Sequence, residues 1–289
     1  MLEEKQIRRK PKIALIISSG GLKAIGALAL FEFLKENNIE VDLIIGTSGG
    51  AILGTSFALD MSSQTVIDLF YAFLSKDPLK KLDYNTILNI FNVPFTKWDV
   101  SHGLVKGNAL QDEMKNLFKD QRIEDLPIET VIVASDILSG ESYIFDEGPI
   151  AVALAASASI FPLVPPVYYD GHYLADGALS APLPVVEAVK RQADIIISMA
   201  FWENYAFRSD HLGHSLQKGL SIPMQTLYTK QLALAISMHH AEIVMIDVTN
   251  QERVGLTDGH LLPRMIETAE EALNEKKQEI LSTIKNFNS

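Results

Sequence analysis

The sequence predicts a three-layer α/β fold, with a mainly parallel central sheet and helices on both faces. Short Ile- and Val-rich runs recur at Ile13 to Ile17, Leu43 to Ile45, Val131 to Val133, Ile195 to Ile197 and Ile243 to Ile246. Runs that are apolar at consecutive positions suit strands covered from both sides. Longer stretches with helical spacing separate them, and that alternation builds layers. Two uncharged stretches, Leu43 to Leu59 and Pro149 to Tyr169, reach membrane-spanning length. The first is broken by Gly46, Gly49, Gly50 and Gly54 and the second by Pro162, Pro165 and Pro166, so both read as interior segments.

In chain order, the helical stretches are Ala24 to Glu36, Ala51 to Leu59, Thr65 to Leu74, Ala109 to Phe118, Pro184 to Arg191, Thr226 to His240 and Pro263 to Lys285. Pro184 falls near a helix start, where its missing amide hydrogen is harmless. In the last helix Leu262, Met265, Ile266, Ala269, Leu273, Ile280 and Ile284 repeat with helical period, so this helix packs on the body. Asp170-Gly171 between "VYY" and "YLA" reads as a hairpin turn. The organisation expected is a charged N-terminal arm over 1–11 and one domain over 12–289, C-terminal helix included.

Composition narrows the function classes. With 289 residues, 47% hydrophobic and 21% charged, the chain can bury a real core. A formal charge of -11 argues against broad attraction to nucleic acid or anionic headgroups. Cysteine is absent, which excludes disulfides, thiolate metal sites and a cysteine nucleophile. The N-terminal "MLEEKQIRRKPK" lacks the apolar core of a signal peptide, and its basic cluster (Lys5, Arg8, Arg9, Lys10, Lys12) reads as a solvated arm. A cytoplasmic location, with peripheral membrane contact as an option, is the expectation.

Three short segments carry the chemistry. Gly20-Gly21 forms a bare turn between the first strand and helix, of the kind that holds phosphates, pyrophosphates or oxyanions on unpaired amides. Gly46-Thr47-Ser48-Gly49-Gly50 has the form G-x-S-x-G after the second strand, which reads as an exposed nucleophile or as a merely tight turn. Asp176-Gly177 precedes a small-residue loop and on its own is a plain turn. None of the seven histidines (His102, His172, His211, His214, His239, His240, His260) stands in a recognisable catalytic setting.

Taken together, Gly20-Gly21-Leu22-Lys23, Gly46-Thr47-Ser48-Gly49-Gly50 and Asp176-Gly177-Ala178 resemble the three motifs of the patatin-like phospholipase family, in order and spacing. The resemblance extends through "ASDILSGESYIFDEGPI" and "ALAASASIFPLVPPVYYDGHYLADGALSAPLPV" and covers roughly Lys12 to Ala272. The chain departs from the family in having Ser19 ahead of the glycine pair and Ala24 after the basic residue. The resemblance implies a serine-aspartate dyad without histidine, Ser48 as nucleophile and Asp176 as general base. It further implies an oxyanion site at the amides of Gly20, Gly21 and Leu22, with Gly49 adding one from the other side and Lys23 adding positive potential. The implied activity is hydrolysis of phospholipid, lysophospholipid or related acyl esters, with no metal and no organic cofactor.

"IFPLVPP" (Ile160 to Pro166) and Ile87 to Trp98 are the candidates for the acyl-chain wall, and the second also for a lid. An acyltransferase using the same acyl-serine is the nearest alternative, and a catalytically inactive lipid-binding scaffold is another. A nucleotide-binding module fits poorly, since the first loop matches neither G-x-G-x-x-G nor a phosphate loop ending in G-K-S or G-K-T.

Overall fold

The computed structural model describes residues 9–75, 82–90, 93–96, 98–105, 108–204, 212–238, 242–255 and 257–287. The strands are β1 (Ile13–Ile17), β2 (Leu43–Thr47), β3 (Glu129–Asp136), β4 (Ser142–Phe145), β5 (Val167–Tyr169), β6 (His172–Asp176), β7 (Ile195–Glu203) and β8 (Glu242–Asn250). The helices are α1 (Ala27–Glu36), α2 (Gly49–Ala58), α3 (Ser63–Ser75), α4 (Tyr84–Ile90), α5 (Asn108–Phe118), α6 (Ile150–Ser157), α7 (Val185–Lys190), α8 (Leu212–Met238) and α9 (Leu262–Asn286).

Five strands run parallel in the order β3-β2-β1-β7-β8. All five residues of β1 and all five of β2 are buried, the burial that unbroken apolar runs imply. Alternate β1 residues feed opposite layers. Ile13, Leu15 and Ile17 pack with α1 and α9, while Ala14 and Ile16 pack with α7 and α8. The predicted three layers are therefore present. The periodic face of α9 is buried as the spacing requires, at Leu262, Met265, Ala269, Leu273 and Ile280.

The β5-β6 hairpin turns at Asp170 and Gly171, both at positive φ (49° and 84°), as a two-residue primed turn demands. Its position matters more than its turn. Along β3, Thr47 of β2 pairs with Val133, and the next residue, Ala134, pairs with Asp176 of β6. β4 bonds to these same β3 residues from the other side, so β6 continues the sheet just beyond the end of β2. That register sets Asp176 beside the residue following Thr47.

Several elements differ from expectation. The stretch starting at Ala24 is a 3₁₀ turn over Gly21–Gly26 before α1 begins. α8 begins fourteen residues before Thr226 and runs through Pro223, because a proline in an exposed turn costs a hydrogen bond without stopping a helix held by packing on both sides. α6 was invisible to periodicity, since seven of its eight residues are buried and it shows no polar face. The expected ends of the arm and of the α8 stretch (residues 1–8, 239 and 240) lie outside the described residues. Arg9 and Lys10 do not float. Arg9 pairs with Asp194 at 2.5 Å and Lys10 with Glu40 at 2.6 Å, fastening the chain to the base of the sheet.

Candidate active site

The site lies at the carboxyl ends of β1, β2 and β7, where the chain leaves β1 for β2 on one side and β7 for β8 on the other. In open α/β sheets this switch point is where a crevice forms. Here a cleft of about 220 Å³ is lined by Ser19, Gly20, Gly21, Ser48, Asp176 and Phe201, among others.

Ser48 sits between β2 and α2 with φ 57° and ψ -127°. That is a sparsely populated backbone for a residue with a side chain, worth about 1–3 kcal/mol of strain. Its surroundings hold it there. The Ser48 amide donates to Ser157 Oγ at 2.8 Å, and Ser157 Oγ donates to the Val133 carbonyl at 2.6 Å, which ties the turn to α6 and β3. The Ser48 hydroxyl donates to Asp176 Oδ2 at 2.7 Å.

Asp176 is 6% exposed. Burial pushes its carboxyl up to about 6, against the opposing hydrogen bonds from the Ala178 amide (2.9 Å to Oδ1) and from Ser48. Burial wins because two neutral donors replace less stabilisation than bulk water gave the ion. The backbone is pinned as well: the Asp176 amide donates to Ser159 O at 2.8 Å, and Ser135 Oγ donates to Asp176 O at 2.9 Å.

The glycine turn meets the nucleophile turn directly. Gly21 has φ 55°, in the region that favours glycine. At Gly49 a Cβ would collide with the Gly21 carbonyl oxygen, so the two turns touch only because position 49 has no side chain. Gly21, Leu22 and Gly49 open a 3₁₀ turn and a helix, and the first amides of such elements have no intrahelical acceptor. Gly20, Gly21, Leu22 and Ser48 all face the same cleft. Neither departure from the family pattern disturbs this loop. Ser19 and Ala24 lie outside the positive-φ residues, the Ser19 amide donates to Pro182 O at 2.9 Å, and Ala24 is fully buried.

Lys23 lines the cleft but its charge is shared. Its Nζ lies 2.7 Å from Glu203 Oε1 at the end of β7, with side chains 14% and 11% exposed. Truncating Lys23 to alanine is expected to lower stability by about 3 kcal/mol, because it leaves Glu203 charged and unpaired in a dry position. Adding Glu203→Gln should recover most of that loss. Chemical denaturation of the two variants checks this, and equal stability of both would make the pair irrelevant to the fold.

The wall of the cleft only partly matches expectation. Ile160 and Phe161 line it, as the "IFPLVPP" segment suggested. The Ile87 to Trp98 segment contributes none of the lining among its described residues, with 91, 92 and 97 outside them. α8 supplies the wall instead through Gln217, Leu220, Ser221, Met224, Gln225 and Tyr228. Tyr228 OH and Trp202 Nε1 both donate to Asp247 Oδ1, at 3.0 and 2.8 Å, which clamps α8 to β7 and β8. Among the described residues, no histidine lines the cleft.

Sequence reasoning missed Ser157, Ser159, Glu203 and the whole α8 wall. The two serines lie in the "ALAASASIFPL" segment that carried the resemblance, but nothing in their spacing announced a role. Glu203 was unreachable, since it stands 180 residues from its partner.

Comparison with known proteins gives three kinds of match. A family model described as patatin-like phospholipase matches residues 15–189, more than half of the chain. An NTE family protein of Mycobacterium tuberculosis is 29% identical over 190 residues, covering 66% of this chain and 49% of that protein. Patatin-like phospholipase domain-containing protein 7 of Mus musculus is 30% identical over 190 residues, covering 65% of this chain and 13% of that protein. The chain thus spans half or less of the length of these relatives. Among solved structures, VipD from Legionella pneumophila aligns with a TM-score of 0.45 at 12% identity, over 94% of this chain and 67% of that one.

Proposed function

The chain belongs to the patatin-like phospholipase family, and on that premise we propose that it is a serine lipid acyl hydrolase that cleaves carboxylic esters of phospholipids, lysophospholipids or related acyl lipids. One observation carries the reading. The hydroxyl of Ser48, on a strained turn, donates a 2.7 Å hydrogen bond to the buried carboxylate of Asp176, in a cleft that the Gly20-Gly21 turn also lines.

The chemistry follows from that arrangement. Ser48 Oγ attacks the acyl carbon as its proton passes to Asp176, and the carbonyl oxygen becomes an oxyanion facing the amides of Gly20, Gly21 and Leu22. Collapse breaks the ester bond, and the departing alcohol takes the proton from Asp176. Water then attacks the acyl-serine, giving its proton to the same carboxylate, and the fatty acid leaves as Ser48 regains its hydrogen. A carboxylate is a weak base for an alcohol. Burial narrows the mismatch by raising the proton affinity of Asp176.

Fluorophosphonate labelling tests the reading. Mass mapping should find the adduct on Ser48, and an ester panel should show turnover of acyl lipids with free fatty acid as product. An adduct elsewhere, or transfer of the acyl group to an added alcohol in place of release, would overturn the hydrolase assignment. The pH dependence is a second check. Because the base must be ionised, kcat/KM on a soluble ester should fall tenfold per pH step below about 6 and level off above it. An acid limb near 4 would mean that Asp176 is not the titrating base.

A further inference from the structure

The order of the sheet divides the cleft into two unlike sides. Ser48 follows β2, with β3 and β6 to one side and β1, β7 and β8 to the other. Beside Asp176 on the β6 side, the lining is apolar, with Ile160, Phe161, Ala178 and Leu179. Ile160 is held there because the carbonyl of its neighbour, Ser159, accepts the Asp176 amide. On the β7 side stand Lys23 and Glu203, joined at 2.7 Å. α8 adds Gln217, Ser221 and Gln225, each a turn apart and so on one stripe of the helix. Gln217 Nε2 donates to Val254 O at 3.3 Å just past β8, and the last residue of β8, Asn250, pairs with Glu203. The stripe therefore begins next to the ion pair.

The charges on this lining are few. Among the described residues they are Lys23, Glu203 and Asp176, and the single cation is neutralised by Glu203. An anion that leaves water for such a space is strongly disfavoured unless a cation is free to pair with it. A hydroxyl needs only neutral donors and acceptors, which glutamine and serine side chains provide.

We propose that the cleft selects acyl esters whose alcohol is uncharged and hydroxylated, such as monoacylglycerols, over esters of phosphate-bearing alcohols, and that Glu203 sets this preference by holding Lys23. This deepens the lipid hydrolase reading and rests on it. The acyl chain lies along the apolar β6 side, and the hydroxyls of the alcohol meet the α8 stripe and the ion pair. A phosphate in their place would face the Glu203 carboxylate, with the neighbouring ammonium already engaged.

The test compares monooleoylglycerol with oleoyl lysophosphatidic acid and oleoyl lysophosphatidylcholine in micelles of one neutral detergent. The unmodified full chain should cleave the neutral ester with kcat/KM at least about 10-fold above that for either phosphate ester. Glu203→Gln frees the ammonium for a charge-assisted bond to phosphate, so the ratio of neutral ester to lysophosphatidic acid should fall by about 30-fold, chiefly through KM. Each ratio is measured within one preparation, so partial unfolding of a variant cancels. Lys23→Met/Glu203→Gln leaves no charge in the pair and should return the preference for the neutral ester. The inference is overturned if the unmodified protein cleaves either phosphate ester as fast as the neutral one, if Glu203→Gln leaves the ratio unmoved, or if the double variant keeps the lowered ratio. Fluorophosphonate labelling of Ser48 keeps the two readings apart. Labelled protein that prefers a phosphate ester removes this inference alone, whereas absence of both labelling and cleavage removes the hydrolase reading and this inference with it.

Discussion

Ser48→Ala is expected to lower ester cleavage by on the order of 10⁵-fold while leaving the fold intact, because a nucleophile and its base act as one unit. Ser18 also lines the cleft but its hydroxyl is engaged elsewhere. Ser18 Oγ donates to the Ser19 carbonyl at 2.9 Å and receives the Phe201 amide at 3.2 Å, so it is engaged in holding β1 to β7. Residual activity then comes from the amides of the glycine turn stabilising the oxyanion formed as water attacks the ester. Removing the hydroxyl also strips Asp176 of one of its two side-chain hydrogen bonds, a loss of about 1 kcal/mol at alkaline pH where the carboxylate is charged. Steady-state rates on a soluble ester and a denaturation curve check both parts. Turnover within tenfold of the unmodified protein would show that another group attacks the substrate.

The sheet was readable because its signal is local. Each central strand is a short apolar run covered on both faces, and burial of β1 and β2 at every position leaves its mark in the sequence directly. The nucleophile turn was readable for a related reason: a sharp, crowded strand-to-helix turn demands glycines, and Gly46, Gly49 and Gly50 supply them. Asp176 was different. Its neighbourhood looks like any Asp-Gly turn, and what makes it a partner for Ser48, 128 residues away, is the register that places β6 at the end of β2 along β3. Only the resemblance to a family joined the two residues in advance.

The errors have physical causes too. The start of α8 was placed too late, for the helix begins at Leu212 and runs through Gly219 and Pro223, two residue types that weaken a helix. The wall expectation for Ile87 to Trp98 rested on apolar content, which alone cannot distinguish a wall from an exposed excursion. The charge of Lys23 looked available because sequence shows a basic residue and not the acid that faces it. With Glu203 at 2.7 Å, the helix-start amides are left as the main source of positive potential at the turn.

Asp176→Asn should abolish cleavage to a similar degree and, in the same experiment, make the protein more stable at neutral and alkaline pH. The folded protein holds the Asp176 proton up to about 6, against 3.8 for the free side chain. A raised carboxyl of this kind stabilises the fold fully below about 4, and that contribution is lost as pH rises through 6. At pH 8 the buried anion therefore weighs against folding by roughly 3 kcal/mol, taking 1.36 kcal/mol per decade. Asparagine has the same shape and no charge. Its oxygen can accept the Ala178 amide while the Ser48 hydroxyl rotates to accept from its nitrogen, so both existing side-chain hydrogen bonds keep a counterpart. Denaturation midpoints measured from pH 4 to pH 8 should show the variant ahead at the alkaline end and the two proteins converging at the acid end. A gain independent of pH would assign the effect to packing, and no gain at all would mean that Asp176 is better solvated than its burial implies. In either case the account of how a carboxylate becomes basic enough to activate Ser48 would lose its physical ground, even if the variant were inactive.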